Sequence, residues 1–504
     1  MSSNISPNVL LLMTDAQRRD TLGCYGNRLV RTSAIDSLAA EGVRFTEWHV
    51  PNPLCMGARA SLMTGHYPSS HGVRTNGMNL GDALPTIAEL LVNAGYWTAS
   101  VGKLHLNFWW ADKPGYSQEG RADWSVGRRR IDLPYFGFQA VDMAIGHNED
   151  SWGPYAEWLA EVCPEGHALM QPENALRVPS GALCTWDSAL PAEVHCTNWV
   201  ADRTIARLRT RDSDHPFFVV ASFPDPHMSY SPPEPYCRMY DPTDVSPPLQ
   251  REGELDRMPP HFRAYYEGTG YCREMFEDKT LNMLPAAAHT DLQWRDMRAH
   301  HWGQVTLIDD AVGRILAVVD ELGLRENTVV IFTTDHGALM GDHGMHMHGP
   351  FHYDGQLRIP AIWRWPGQFP AGQVSRALVS SVDMAPTLLA LAGVEAPAAM
   401  QGASLAAVLG GDEGDWSRQA MVTEYDDELF APFFRTLTTH HWKLTRYAGQ
   451  PYGELFHRDE DPDEFKNLYD DPGYGVIRME LSDILLDEML KIGSTRLERH
   501  GLHA

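Results

Sequence analysis

Short apolar runs recur along this chain, and each stops at a residue able to carry charge. Asn8-Val-Leu-Leu-Leu-Met13 runs into Thr14-Asp15, and Tyr96–Val101 into Gly102-Lys103-Leu104-His105. Phe217–Ser222 leads to Pro224-Asp225-Pro226-His227, and Thr328–Phe332 to Thr333-Thr334-Asp335-His336. Unalternating aliphatic runs of this length read as strands buried on both faces; Val43–Val50 is strand-like as well. Helical stretches lie between them. Ser33–Ala40 is stopped by Gly42 and Leu84–Asn93 by Gly95. A long segment, Trp294–Leu322, sets Trp302, Val305, Ile308, Val312, Ile315, Leu316 and Val319 at helical spacing. Strands alternating with helices predict an α/β fold, a large and mostly parallel sheet flanked by helices. Ligands of such sheets bind at the carboxyl ends of the strands, so Asp15, Lys103, His227, Asp335 and His336 are expected to meet in one crevice.

A chain of 504 residues, 43% hydrophobic and 21% charged, buries a large core and is long enough for two or three domains. Around Gly393–Trp416 the composition turns to Ala, Gly and acids. The expected division is a catalytic α/β domain over 1–410 and a smaller C-terminal α+β subdomain over 411–504. Ala420–Thr423, Phe433–Thr438 and Trp442–Tyr447 read as antiparallel strands of that subdomain. Leu481, Ile484, Leu485, Met489 and Ile492 stripe a last helix that covers either this sheet or a partner subunit. Segments 112–191 and 224–285, rich in Trp, Gly and Pro and weakly periodic, read as excursions over the sheet edge that shape a substrate pocket.

The net charge of −25 argues against nucleic acid or an anionic membrane as partner, and an anionic substrate needs a locally positive site. No apolar run approaches the roughly 20 residues of a membrane span, and Val9–Met13 is too short for a signal peptide. Seven cysteines, at 24, 55, 163, 184, 196, 237 and 272, are odd in number and contain no C-x-x-C pair. Thiols in a reducing compartment, the cytoplasm, are therefore expected. Oligomeric state stays open, with a homo-oligomer compatible.

Cys55 heads Cys55-Met-Gly-Ala-Arg59 after Pro51 and Pro53, a helix N-terminus that favours negative charge, with Arg59 one turn on. Read singly, such a cysteine is more often a small buried hydrophobe. Asp15, Asp335 and His336 suit a divalent cation of moderate hardness, although an Asp after a strand is more often a cap or turn residue. The histidines at 336, 343, 346, 348 and 352 form a dense tract, with metal binding and pocket lining both open. Lys103 and His105, two apart on an extended segment, suit an anion clamp.

The ordered set resembles the sulfatase family of the alkaline-phosphatase superfamily. The likeness is collinear from residue 8 to about 470. It runs through Asn8–Asp15, Asp20–Gly26, Cys55–Gly72, Gly102–His105, Pro226-His227, Thr334–Gly337, Gly341–Gly344, Arg358–Pro360 and the tail Glu454–Leu468. The resemblance implies an alkaline-phosphatase-like fold and a metal-dependent hydrolase of sulfate monoesters. It implies oxidation of Cys55 to formylglycine by a formylglycine-generating enzyme, the hydrate being the nucleophile. It implies one divalent ion, Ca2+ or Mn2+, on Asp15, Asp335, His336 and residue 55. Arg59, Lys103, His105 and His348 would face the transferring group, and His227 or Lys103 would be the acid for the leaving alcohol. Three positions depart from the family pattern: Gly57 stands where Pro or Ala is usual in the modification motif, Ala16 where a second metal carboxylate is common, and His348 where a lysine precedes Gly-Pro. The phosphonate monoester hydrolase branch also lacks the second carboxylate and has an Asn at the place of Asn76, a substrate-binding candidate, but it lacks the Lys103/His105 pair. The expected substrate is thus a small sulfate ester, with a phosphonate monoester or phosphodiester as the alternative. Two other readings are a non-catalytic anion binder and an enzyme using the unmodified Cys55 thiolate.

Overall fold

The computed structural model describes residues 6–111, 113–269, 284–346, 348–414, 416–427 and 431–493. Cys272 and part of the second excursion, 270–283, lie outside the described residues. The strands are β1 (Asn8–Thr14), β2 (Val43–Phe45), β3 (Trp48–His49), β4 (Trp97–Gly102), β5 (Ala140–Met143), β6 (Phe217–Ser222) and β7 (Thr328–Thr334). They continue with β8 (Ala361–Arg364), β9 (Gln373–Ser375), β10 (Val379–Ser380), β11 (Met421–Tyr425), β12 (Phe434–Thr438), β13 (Trp442–Tyr447) and β14 (Gly453–His457). Eight of them form one sheet in the order β5-β4-β6-β1-β7-β8-β2-β9. Only β8 runs against its neighbours, pairing antiparallel with β7 and β2. The expected large, mostly parallel sheet is present, and it is mixed at β8.

The central strands alternate between two cores. Val9, Leu11 and Met13 of β1 enter one apolar cluster with Val329 and Ile331 of β7, while Leu10 and Leu12 enter the other with Val330 and Phe332. That is why their sequence is apolar throughout. Helices Cys55–Thr64, Ile87–Asn93 and Met384–Leu391 cover the first face, and Cys196–Thr210 and Asp291–Glu321 the second. The 31-residue helix starts at a capping box of Thr290 and Gln293 and buries Val305, Ile308, Val312, Ile315 and Val319.

Several readings need correction. The run Val43–Val50 is two strands in different sheets: β2 belongs to the large sheet, and β3 pairs with β10. Between them the Thr46 carbonyl accepts from Arg358 Nε (2.7 Å) rather than continuing the ladder. The first excursion does more than cross the sheet edge, because β5 within it pairs with β4 and becomes the edge. The C-terminal antiparallel sheet has four strands, β11-β12-β13-β14, the last supplied by the start of the Glu454–Leu468 tail. Helix Gly475–Gly493 covers that sheet through Leu481, Leu485 and Ile492, but Ile484 of the expected stripe is exposed. Strand β11 also reaches the large domain. Glu424 N–H donates to the Pro51 carbonyl (2.8 Å) and Thr423 Oγ1 to the Val50 carbonyl (2.8 Å).

The first excursion is anchored by buried Asp187, which accepts from Arg177, Arg238 and His300. His300, on the long helix, also lies 3.3 Å from Asp296. Burial by itself would lower the imidazole, but the hydrogen bonds to Asp187 and Asp296 carry it up to about 9 from the ordinary 6.5. A group whose pKa is higher in the folded state stabilises fully below its unfolded pKa, and that contribution is lost as pH rises through the folded value. Unfolding free energy is therefore expected to fall between pH 6.5 and about 9, by at most roughly 3 kcal/mol from this residue. Denaturant titrations across that range should show the slope flattened in His300→Gln; an unchanged slope would remove His300 as its source.

Candidate active site

Strand register brings the charges together. β1 and β7 are parallel neighbours with Thr14 opposite Thr334, so Asp15 and Asp335 leave the sheet side by side. On the other flank of β1, β6 and β4 end level, Gly102 opposite Ser222. Gly102 has φ +93°, and a Cβ there would meet the Ser222 carbonyl at 1.9 Å. Only glycine allows this turn, and it delivers Lys103, whose N–H donates to that same carbonyl at 2.9 Å.

Helix Cys55–Thr64 presents its first residue to this cluster. Cys55 Sγ lies 3.1 Å from His336 Nε2 and 3.9 Å from Asp15 Oδ1. Arg59, one turn on and fully buried, donates from Nε to Asp335 Oδ2 (2.7 Å) and from Nη2 to Asp15 Oδ2 (3.1 Å). Its Nη1 serves the Lys103 carbonyl (2.7 Å) and Ser222 Oγ (3.0 Å). Arg59 thus holds the carboxylates. Lys103 Nζ pairs with Asp15 and lies 3.2 Å from His147 Nε2. The extended Lys103/His105 segment is not present: the strand ends at Gly102 and His105 has φ +55°. The His105 ring stacks on Trp109 at 3.7 Å, and Trp109 also lies 4.8 Å from the Lys103 ammonium.

His227 donates from Nδ1 to the Met228 carbonyl (2.6 Å), which leaves Nε2 as an acceptor. Its ring stacks on His147 at 3.9 Å and lies 5.4 Å from His348, which in turn is 4.1 Å from His336. Of the dense histidine tract only His336 and His348 belong to the centre. His343 stacks on Tyr353, His346 lies against His289, and His352 bonds the Thr436 hydroxyl. Asn76 is exposed above the helix N-terminus, and its Oδ1 accepts from Met56 N–H (3.1 Å).

His147, Glu119 and Asn52 were not foreseen. Glu119 is buried and accepts from the N–H groups of His105, Leu106 and Asn107 and from Trp109 Nε1 and Tyr135. It ties down the loop that carries His105. His147 follows β5, so reading that strand would have pointed to it by the rule that found the others.

Two of the three departures have a structural account. Ala16 has φ +56° and packs in a small apolar cluster with Tyr230, Met297 and Met340, so a carboxylate there would lie among apolar side chains. At Gly57 a Cβ would meet the Asn52 side chain at 2.7 Å. Asn52 cannot readily retreat, because its Nδ2 donates to the carbonyls of Arg74 (3.1 Å) and Glu424 (3.0 Å) and its Oδ1 accepts from Leu54 N–H.

The electrostatics follow from burial and pairing. Burial would raise the Asp15 carboxyl, but the charges of Lys103 and Arg59 hold it well below the ordinary range. His336 goes the other way: burial lowers it, and Asp335, Cys55 and Asp15 drive it up to about 10. Burial pushes His227 down to about 4, and His105, His147 and His348 well below 6.5, so these rings are neutral. Donor atoms of Asp15, Cys55, Asp335 and His336 all lie within 4.8 Å of one another. His336 donates from Nδ1 to the Gly337 carbonyl (2.8 Å), which aims Nε2 into the cluster, the orienting contact typical of metal-ligating histidines. Gln17, two residues after Asp15, keeps Oε1 buried without a hydrogen-bond partner. Two carboxylates, an imidazole and the group at 55 fit a divalent cation, whose charge would take the place of the His336 proton.

Two outcomes test the supports of this centre. Gly57→Ala is expected to lose about 1–3 kcal/mol through overpacking. In a double-mutant cycle with Asn52→Ala the losses should be less than additive by about 1 kcal/mol; strict additivity would mean the two residues do not press on each other. Glu119→Ala should lower the melting temperature and hydrolytic rate while leaving metal content unchanged, since it frees five donors without touching the metal cluster.

A family model described as "Sulfatase" matches residues 7–394, and one described as "N-sulphoglucosamine sulphohydrolase, C-terminal" matches 341–491. The chain is similar to a sulfatase of Escherichia coli named YidJ and described as uncharacterised, 30% identical, covering 96% of this chain and 88% of that one. It is similar to an arylsulfatase of Clostridium perfringens, 28% identical, covering 96% and 95%. Its fold matches the phosphonate monoester hydrolase of Agrobacterium radiobacter at a TM-score of 0.80, with 25% identity and 96% of each chain covered. The chain belongs to the sulfatase family of the alkaline-phosphatase superfamily, a family of sulfuric ester hydrolases.

Proposed function

We propose that this chain hydrolyses sulfate monoesters of small molecules, using a formylglycine derived from Cys55 and one divalent cation held by Asp15, Asp335, His336 and residue 55. The observation that carries this is the meeting of these four side chains at the N-terminus of the Cys55 helix. A bound cation, Ca2+ or Mn2+, would make a hydroxyl on residue 55 more acidic and offset charge on the transferring group. The chain's own residues do the rest. Arg59 holds both carboxylates in place. Lys103 brings a positive charge to a centre otherwise surrounded by a net −25 protein. With residue 55 as a hydrated aldehyde, one of its hydroxyls would supply the nucleophile for sulfur as the S–O bond to the alcohol breaks. The alcohol would leave with a proton from Lys103, while His227 Nε2, the unprotonated ring nitrogen not engaged by Met228, would take the proton lost by the attacking hydroxyl. Loss of the proton from the second hydroxyl would re-form the aldehyde and release sulfate, so that one hard displacement becomes two easier steps.

A second reading, hydrolysis of phosphonate monoesters or phosphodiesters, is supported by the fold match at TM-score 0.80 to phosphonate monoester hydrolases, against 0.71 for a solved complex with the substrate D-glucosamine-2-N,6-O-disulfate. The six described cysteines are unpaired, which supports the cytoplasmic reading, and no described helix is long and apolar enough to cross a membrane. The formylglycine-generating enzyme is the partner this mechanism needs. We keep 411–504 as a C-terminal subdomain, though one joined to the Cys55 segment through β11.

Peptide mass spectrometry of chain made in its native host should show the Cys55 peptide lighter by about 18 Da, unlike the mass gains of ordinary thiol oxidation. An intact thiol in active enzyme would rule out the formylglycine route. Cys55→Ala and Asp335→Asn should each abolish hydrolysis of nitrophenyl sulfate by folded protein, and full activity in either would overturn the site. A higher rate on a nitrophenyl phosphonate than on the sulfate would select the second reading.

A further inference from the structure

Cys55 belongs to two groups of donor atoms. One contains Asp15, Asp335 and His336; the other contains His227 and His348, whose donors and Cys55 Sγ also lie within 4.8 Å of one another. We infer that the chain with Cys55 as a thiol binds a second divalent cation of the zinc class on Cys55 Sγ, His227 and His348, with the thiolate bridging two ions. The inference rests on the geometry of the centre and not on the proposed reaction or on conversion of Cys55.

Three features support it. His227 and His336 are prepared in the same way: each donates from Nδ1 to a backbone carbonyl one residue on, Met228 and Gly337, and each keeps Nε2 for the centre. That is the outer contact that fixes a ligating imidazole in the required tautomer. His348 is a ring capable of donating a lone pair, standing beside His336 at 4.1 Å between centroids. An ammonium at that position would repel a cation, whereas a neutral imidazole binds one. The ligand set is softer than the first, a thiolate and two imidazoles against carboxylates, and such a set favours zinc over calcium or manganese. Three protein ligands leave a tetrahedral ion one open position. Paired ions at about 3.5–4 Å act on both oxygens of a displacement.

The charge balance fixes what the loaded centre would prefer. Asp15, Asp335 and a thiolate face Arg59 and Lys103, so two divalent ions leave a surplus of positive charge. That surplus favours a dianion, such as inorganic phosphate, over a monoanionic ester.

The test uses untagged full-length protein whose Cys55 is shown by peptide mass to be an intact thiol. After removal of metal, zinc is added in excess, loose ion is removed by gel filtration, and bound zinc is counted. Two ions per chain are expected, against one in His348→Lys and one in His227→Ala, with melting curves showing that both variants are folded. Cobalt in place of zinc should give a thiolate charge-transfer band that weakens in His348→Lys. Inorganic phosphate should bind at least tenfold more tightly to the two-zinc wild type than to His348→Lys. One zinc per chain in the wild type, or two retained in His348→Lys, would overturn the inference. Either result would leave the sulfatase reading standing, since that reading is judged by hydrolysis and by the mass of residue 55.

Discussion

The centre depends on one buried arrangement: two aspartates released side by side from neighbouring strands, and a single guanidinium between them. Asp15 and Asp335 are both fully buried, and each is bonded by Arg59. Like charges in a low-dielectric interior repel strongly, and breaking one partner from such a set commonly destabilises by about 3–5 kcal/mol. Arg59 suits the task because its planar fork reaches both carboxylates, the Lys103 carbonyl and Ser222 at once. Its Cα lies on the helix that begins with Cys55, so the residue that neutralises the sheet ends also fixes where the nucleophile stands. Sheet and helix are locked by the same four hydrogen bonds.

Much of this was legible because the rule is geometric. A buried parallel strand is nearly uniform in hydrophobicity, so the first polar residue after it marks where the strand leaves the core. That rule located Asp15, Lys103, His227, Asp335 and His336; Cys55 and Arg59 were visible as a pair one turn apart at a helix N-terminus, and the family resemblance added their roles. It failed where the strand itself was hard to see. β5 is four residues long and sits in a Trp- and Gly-rich stretch, so His147 carried no signal. Glu119 and Asn52 were invisible for another reason. Their roles are to accept and donate hydrogen bonds across gaps of 10 to 16 and of 22 and 372 residues, and nothing in local periodicity records such partners. The expected side-by-side Lys103 and His105 failed because glycine and a left-handed residue break the extension.

The departures from the family pattern do not look like decay. Ala16 is part of a packed apolar cluster, and Gly57 is the only residue that leaves room for Asn52. His348 exchanges a cation for a neutral donor while staying in ring contact with His336 and His227. Each change is matched by its surroundings, so each alters the chemistry available to the centre without leaving an unpaired charge in the interior.

Asn52 also links events far apart in time. Its side chain bonds the Glu424 carbonyl, and Arg59, one turn after Cys55, bonds Asp335. Cys55 is 3% exposed in the folded chain. During synthesis neither partner exists when residue 55 leaves the ribosome. At about 5–20 residues per second, Glu424 follows it by roughly 20–70 s. Any enzyme that acts on Cys55 therefore has a period set by translation itself. Slowing or pausing synthesis between these two points lengthens that period without changing a single contact in the finished protein.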